Sequence, residues 1–378
     1  DVEVRDEEGL LGRRGSMDES RRVDPWSHFV NVYMLDKDGN RIDRRNAADI
    51  FTPLYNHQIP PGAAAVVHYQ FTVPEDQQKP IEIELKLNYR KFDSTYMEYV
   101  YGKDYRNDLP VSVLAEDRIS FGIEGGIPSL SERTLAIQPV DFPMWQRWND
   151  YGIGLLLKGN AGSDKGELKQ AAAAFSKVEA LGRPEGPINL ARVYFKEGRV
   201  DDAAQALQRA AAFDPQPPRW SMAWFTGQVH AQRGELDQAI TNYRSILEDQ
   251  YQELEDRDFD FSKDYVVINE LGQTYYLRSK LERGRPEAEK QFLNLAIEQF
   301  QKALELDSEN QIAHYNLSLL YGELGRKGLA EHHRKAHERY RVDDNARDRA
   351  VATARARDSA ARHASQSIVI YDLQRDVD

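Results

Sequence analysis

INLARVYFKEGRVDDAAQALQRAAAFDP, residues 188–215, decides how most of this chain is read. Leu190-Ala191, Tyr194, Gly198, Ala203, Leu207, Ala210 and Pro215 alternate small and large residues at fixed offsets. The spacing fits two helices joined by a short turn. The small side chains let the helices approach closely, and the large ones reach the next pair. Because one such pair cannot bury its own apolar face, copies must stack.

Copies are present. Trp148, Tyr151-Gly152, Leu155, Gly166, Ala171 and Phe175 form the first, with a short insertion around Gly159–Lys165. Gly227, Gly234, Ala239 and Tyr243 form the third. Leu271-Gly272, Tyr275, Ala296, Phe300 and Ala303 form a fourth, stretched by about a dozen residues between its helices. Leu317-Ser318, Tyr321, Gly325, Ala330 and His337 form the fifth. This is the tetratricopeptide (TPR) pattern of about 34 residues, so residues 141–342 are expected to form an all-α solenoid of about five repeats.

Residues 1–140 have a different period. Val67, Tyr69, Phe71 and Val73 alternate, as do Ile81, Ile83, Leu85, Leu87 and Tyr89, which reads as strands with one buried face. Pro74-Glu75-Asp76 between them predicts a hairpin, and Asp36–Gly39 predicts a tight turn. A further strand is expected over Val111–Ile123, and Gly125, Gly126 and Pro128 mark a linker. The expected fold class is therefore α+β multidomain, an immunoglobulin-like β-sandwich followed by the TPR solenoid. Asp1–Arg5 already alternates, so the first residue reads as a cut or processed end that truncates the β domain. Residues 343–378 are expected to supply a polar helix capping the solenoid, then an extended tail over Ser367–Leu373.

With 378 residues, 40% hydrophobic and 30% charged, the composition is that of two or three globular domains. The net charge of −12 argues against a broad nucleic-acid footprint. The absence of cysteine removes disulfides, thiolate metal sites and covalent CxxCH haem attachment from these residues. No apolar run approaches the roughly 20 residues of a membrane-spanning helix.

HFVNVYMLDKDGNRID (28–43), IPPGAAAVVHYQFTVP (59–74), LKLNYRKF (85–92) and WQRWNDYGIGLL (145–156) resemble the C-terminal region of bacterial multihaem c-type cytochromes. In that family a haem-bearing part of the doubled CxxCH type precedes a β domain and a TPR array. The resemblance covers roughly residues 2–340. It implies haem c upstream or in a partner, none within this chain, and a periplasmic or extracellular location. The chain departs from the family in lacking CxxCH.

Candidate chemistry is sparse. His333 and His337 are four apart on one helix face, a spacing open to metal or haem iron. His332 beside them makes the stretch simply polar and favours packing. His28, next to Trp26 and Phe29, invites the same question and is expected at a strand edge. Asp256, Asp258 and Asp260 alternate like a calcium loop, but Phe261 stands where glycine is needed and Val267 where the closing glutamate is needed. Gln252–Asp264 therefore reads as a solvated acidic insertion, and the glycines of Gly152-Ile153-Gly154 as packing inside a helix. No catalytic motif is evident, and no enzymatic activity is expected.

Binding is the remaining function. The inward positions of the first TPR helices carry Asn149, Ile188, Arg192, Phe195, Trp224, Gln228, Asn269, Gln273, Tyr276 and Tyr315. Amides for main-chain groups and aromatics for buried area suit an extended protein segment. The expectation is a non-catalytic scaffold in a multihaem cytochrome electron-transfer system, docking a protein partner or neighbouring subunit. Alternatives are a haem-free extracytoplasmic adaptor for envelope assembly, an enzyme with a carbohydrate or metal site, and a polymer subunit self-associating through its N-terminal strand and tail.

Overall fold

The computed structural model describes residues 1–122, 142–159, 165–256 and 258–375. The expected linker at Gly125–Pro128 and most of the insertion after Gly159 lie outside them. The chain divides into two units, Met144–Val342 and Asp1–Pro143 together with Asp343–Asp378.

Among the described residues the N-terminal unit holds three small sheets. Strands β1 (Val2–Arg5), β2 (Leu10–Arg14), β6 (Ile81–Tyr89) and β7 (Ser112–Phe121) form an antiparallel sheet in the order β2-β1-β6-β7. Strands β3 (Val32–Leu35) and β4 (Thr52–Asn56) make a two-stranded ribbon. The expected turn forms directly after β3, with Asp36 Oδ1 accepting from the Asp38 and Asn40 amides at 2.9 and 2.8 Å. The third sheet pairs β5 (His68–Gln70) with β8 (Ile370–Asp372), in parallel.

Several expectations are corrected by this topology. The hairpin between Val67–Val73 and Ile81–Tyr89 does not form, because β5 takes its partner from the C-terminus and β6 pairs with β1 and β7. Among the described residues one four-stranded sheet and two ribbons stand where an immunoglobulin-like pair of sheets was expected. The N-terminal strand β1 is flanked on both sides, so it offers no free edge for polymerisation. Alternation along β6 does put its apolar residues on one face, yet only its start is covered. Ile81 is buried, while Leu85, Leu87 and Tyr89 are 41–53% exposed.

Residues 343–375, expected as a polar capping helix and tail, group with this unit. Helix α13 (Asp344–Arg357) and helix α14 (Ser359–Ala364) read as polar, but their alanines form an apolar stripe. Ala354 and Ala361 pack with Leu35 and Leu54. The approach is close enough that a Cβ on Gly39 would lie 2.5 Å from the Ala350 carbonyl oxygen, and Gly39 also has φ of 76°. Beyond them the tail is docked on its own chain. Leu373 joins Val2, Val4 and Ile81 in a core, and the Leu373 amide donates to the Gln70 carbonyl at 2.9 Å. Helix α1 (Ser94–Tyr101), capped by Asp93, completes the unit.

The second unit is helical. Its hairpins are α2 (Met144–Lys158) with α3 (Lys165–Ala180), α4 (Glu185–Lys196) with α5 (Val200–Ala211), and α6 (Arg219–Arg233) with α7 (Leu236–Glu248). After the short α8 (Gln252–Glu255) come α9 (Tyr265–Leu281) with α10 (Pro286–Leu306), and α11 (Gln311–Glu323) with α12 (Lys327–Tyr340). The extra residues of the fourth repeat are helical: α10 runs for 21 residues, opened by Pro286 and by Glu287 and Glu289 in its first turn. Small residues act as the pattern requires. A Cβ on Gly152 would sit 2.6 Å from the Phe175 ring and one on Gly227 2.8 Å from the Tyr243 ring. Gly152→Val is therefore expected to lower the unfolding free energy of the solenoid by about 1–3 kcal/mol through overpacking. An unchanged urea midpoint would show that the α2–α3 contact is loose.

The insertion before α9 is more structured than a solvated loop. Tyr251 and Leu254 are buried, and Trp220, Tyr251 and Phe261 form an aromatic cluster with ring centres 5.4–6.3 Å apart. The acidic residues there serve the backbone: Asp260 accepts from the Ser262 amide, and Asp264 caps α9.

Candidate protein-interaction surface

Within the solenoid the first helices of neighbouring repeats touch, α2 with α4, α4 with α6, and α9 with α11. The residues picked from the sequence on these helices differ in role.

The first three repeats supply a cationic spot. Asn149 Oδ1 on α2 accepts from Asn189 Nδ2 on α4 at 3.0 Å, and Asn189 Oδ1 accepts from Arg192 Nη1 at 2.9 Å. The two amides thus hold the guanidinium in place. Phe225 on α6 offers its ring face 5.6 Å from Arg192. No carboxylate pairs with Arg192 among the described residues, and burial lowers its pKa. One turn on, Lys196 donates to the Leu156 carbonyl at 3.0 Å, and its pKa is lowered first by burial and then by Arg192. Arg192 is thus a partly desolvated cation on the first helix of the second repeat. Asn189 is absent from the sequence-derived set. Its spacing of three from Arg192, which puts both on one helix face, is the signal that identifies it.

Trp224 and Asn269 do mostly structural work. Trp224 packs 5.8 Å from the Tyr243 ring, against the core of α7, α9 and α10. Asn269 is buried and donates to Asn310 Oδ1 at 3.2 Å, the same oxygen that caps α11 by accepting from the Ala313 amide. Ile188 is buried and Phe195 half-buried. Gln228 is half-buried and Gln273 exposed. The Tyr276 hydroxyl donates to Glu323 at 2.5 Å, and Lys280 meets the same carboxylate. Tyr315 is exposed, and with Ile312 and Leu319 it makes an apolar strip on one face of α11 at 49, 50 and 38% exposure. The surface is thus cationic toward its N-terminal repeats and apolar toward its last.

The candidate histidines all meet partners within the chain. His333 pairs with His314 and not with His337: their Nδ1 atoms are 2.9 Å apart. His314 Nε2 lies 3.1 Å from the Ser308 carbonyl, which can only accept, so His314 donates there. With both rings neutral, His333 then donates its Nδ1 proton to His314. His337 Nδ1 meets the Gln311 carbonyl at 3.0 Å. In the N-terminal unit His28 stacks on His57 with ring centres 4.8 Å apart, and its Nδ1 lies 3.0 Å from the Tyr371 hydroxyl, so it sits in an aromatic cluster. No group of three or more His, Cys, Asp or Glu among the described residues is arranged to hold a metal ion. No helix among them is long and apolar enough to cross a membrane.

A stack of helical hairpins with an aligned row of first helices is the architecture of a protein-binding solenoid. Models of the tetratricopeptide repeat match residues 156–218 and 188–253, and a TPR repeat model matches 284–325, so the chain carries TPR repeats. Such repeats bind protein partners, and no catalytic family is indicated. Among solved structures the chain is similar to MamA AMB-1, at 21% identity over 52% of this chain and 90% of that one, with a TM-score of 0.37. It is similar to MamA MSR-1 at 20%, over 52% and 95%, with a TM-score of 0.38. Similarity to the human IFIT1 dimer with PPP-AAAA is 18%, over 50% and 41%, with a TM-score of 0.38. No curated protein matches the chain.

Proposed function

We propose that this protein is a non-catalytic scaffold whose TPR surface docks an acidic segment of a protein partner, with Arg192 as the central contact. The observation that carries this reading is a half-buried guanidinium held by Asn189, itself fixed by Asn149, with no carboxylate of its own among the described residues. A partner carboxylate there would replace water at low reorganisation cost. The apolar strip of Ile312, Tyr315 and Leu319 would add buried area at the other end.

The system served is, in this reading, multihaem c-type electron transfer in the periplasm or outside the cell. The segments 28–43, 59–74, 85–92 and 145–156 support it through their resemblance to the family. The exposed face of Leu85, Leu87 and Tyr89 gives the haem-bearing part a surface to pack on. The scaffold would act by position, holding haems of other polypeptide segments within transfer distance.

The test is to isolate the protein from its native source and record intact mass and visible spectrum. A Soret band in the isolated complex, and its loss in Arg192→Glu, is the expected result. Affinity for that partner should fall at least about tenfold in Arg192→Glu. A colourless complex would remove the cytochrome assignment, and unaltered binding by Arg192→Glu would remove the docking site.

A further inference from the structure

A cavity of about 480 Å³ opens within the N-terminal unit. Its walls come from residues 16–25, the β3–β4 ribbon, residues 90–95 and α14. The volume lies in the range of small-ligand sites, roughly 300–1,000 Å³. Met17, Val23, Phe29 and Ala364 provide apolar walls, and Tyr33 and Tyr55 add aromatic ones.

The cavity's charges are unevenly engaged. Asp24 forms an ion pair with Arg14 at 3.1 Å. Asp93 caps α1 through the Tyr96 amide at 2.8 Å, and Asp358 caps α14 through the Ala361 amide at 2.9 Å. Asp18 accepts from Ser20 Oγ and the Arg22 amide at 2.7 and 2.8 Å. Of the cations, Arg22 pairs with Glu98, and Arg41 meets Asp93 at 3.4 Å. Arg90 differs. Its guanidinium donates to the Arg21 carbonyl at 2.8 Å and to Ser94 Oγ at 3.4 Å, and it has no carboxylate partner among the described residues. Burial and then the neighbouring charge of Arg21 lower its pKa, against a smaller opposing pull from Asp93, so the cation is only partly compensated.

We propose that this cavity binds a small organic monocarboxylate with an apolar or aromatic body, the carboxylate on Arg90 and the body against Phe29, Met17 and Ala364. A guanidinium fork matches a carboxylate in geometry and charge. A single negative charge fits better than two, because four aspartates line the same space and would repel a phosphate dianion. The lining residues all belong to the first unit.

Isothermal titration of the intact protein with phenylacetate, 4-hydroxyphenylacetate and octanoate, and separately with inorganic phosphate, tests this. Saturable one-to-one binding of at least one carboxylate is expected, weakened at least about tenfold in Arg90→Gln and partly retained in Arg90→Lys. Thr95→Trp, which fills the cavity while leaving Arg90 in place, should abolish binding as well. It keeps the test decisive should Arg90→Gln fail to fold, which near-ultraviolet dichroism would reveal. Failure of all three carboxylates, preferential binding of phosphate, or undiminished binding by a folded Arg90→Gln or Thr95→Trp would each overturn the assignment.

Discussion

Replacing Arg14 by Ala is expected to destabilise the N-terminal unit by about 3–5 kcal/mol, the usual cost of leaving one charge of a buried pair alone. Arg14 and Asp24 are each 2% exposed and 3.1 Å apart. The same guanidinium donates to the Asp372 carbonyl at 2.7 Å and to the Arg375 carbonyl. One side chain therefore neutralises a buried carboxylate and fastens the C-terminal tail to strand β2. Its loss strands Asp24 in the core and frees two carbonyls at once. Hydrogen exchange should show β5, β8 and α14 losing protection together while the helices of 144–342 keep theirs. Arg14→Met combined with Asp24→Leu should recover much of the loss, because no charge is then left unpaired. Full protection of the tail in Arg14→Ala would show that β5–β8 pairing and Leu373 alone suffice to hold it.

Acidification is expected to loosen the last repeat through His333. Burial, followed by the neighbouring His314 and His332, lowers the pKa of His333 from 6.5 to about 4. Between those values the unfolded chain binds a proton that the folded repeat does not, so stability rises with pH across the window. The contribution is fully present above pH 6.5, declines as pH falls, and is gone near pH 4. Its size is up to about 3 kcal/mol, from 1.36 kcal/mol per pKa unit, and solvent screening reduces it. The 2.9 Å contact itself survives one added proton, because His333 Nδ1–H still donates to His314; only two protonated rings would set N–H against N–H across it. Tyr321 and Tyr340 stack on the pair and shield it in part from water. The difference in stability between the native protein and His333→Asn, measured from pH 7.5 down to 4, isolates this term. A difference that stays flat across the range would refute it.

The TPR hairpins were legible because their information is local. Gly152 against Phe175 and Gly227 against Tyr243 are contacts between adjacent helices, and the small-large alternation that makes them recurs within each repeat. Asn149, Arg192, Gln273 and Tyr315 were picked from the repeat spacing of the first helices. Periodicity does not say which of those residues is free. Asn269 looks like a contact residue in sequence, yet its amide is used by Asn310, 41 positions away. Arg192 and Asn149 look like separate positions until Asn189 links them.

In the N-terminal unit sequence pattern located strands but not their partners. Val67–Val73 and Ile81–Tyr89 are close in the chain and separated by turn residues, so a hairpin was the natural expectation. The tail competes for the same edge and wins, placing Ile370–Asp372 on His68–Gln70 and Leu373 in the core with Val2 and Val4. The alanines of α13 and α14 carry little apolar signal, and their value lies in how near they let the helices come to Gly39 and Leu35. The sequence by itself determined the repeat array, the absence of cysteine chemistry from these residues and the place of Arg192 on a first helix, all properties of residue type and short-range spacing. Only the tertiary structure decided the closure of the first unit by the last residues, the pairing of Arg14 with Asp24 and the placement of Arg90 at the cavity. Those depend on contacts between segments far apart in the chain, whose closure entropy is offset by burial that no local window of sequence reveals.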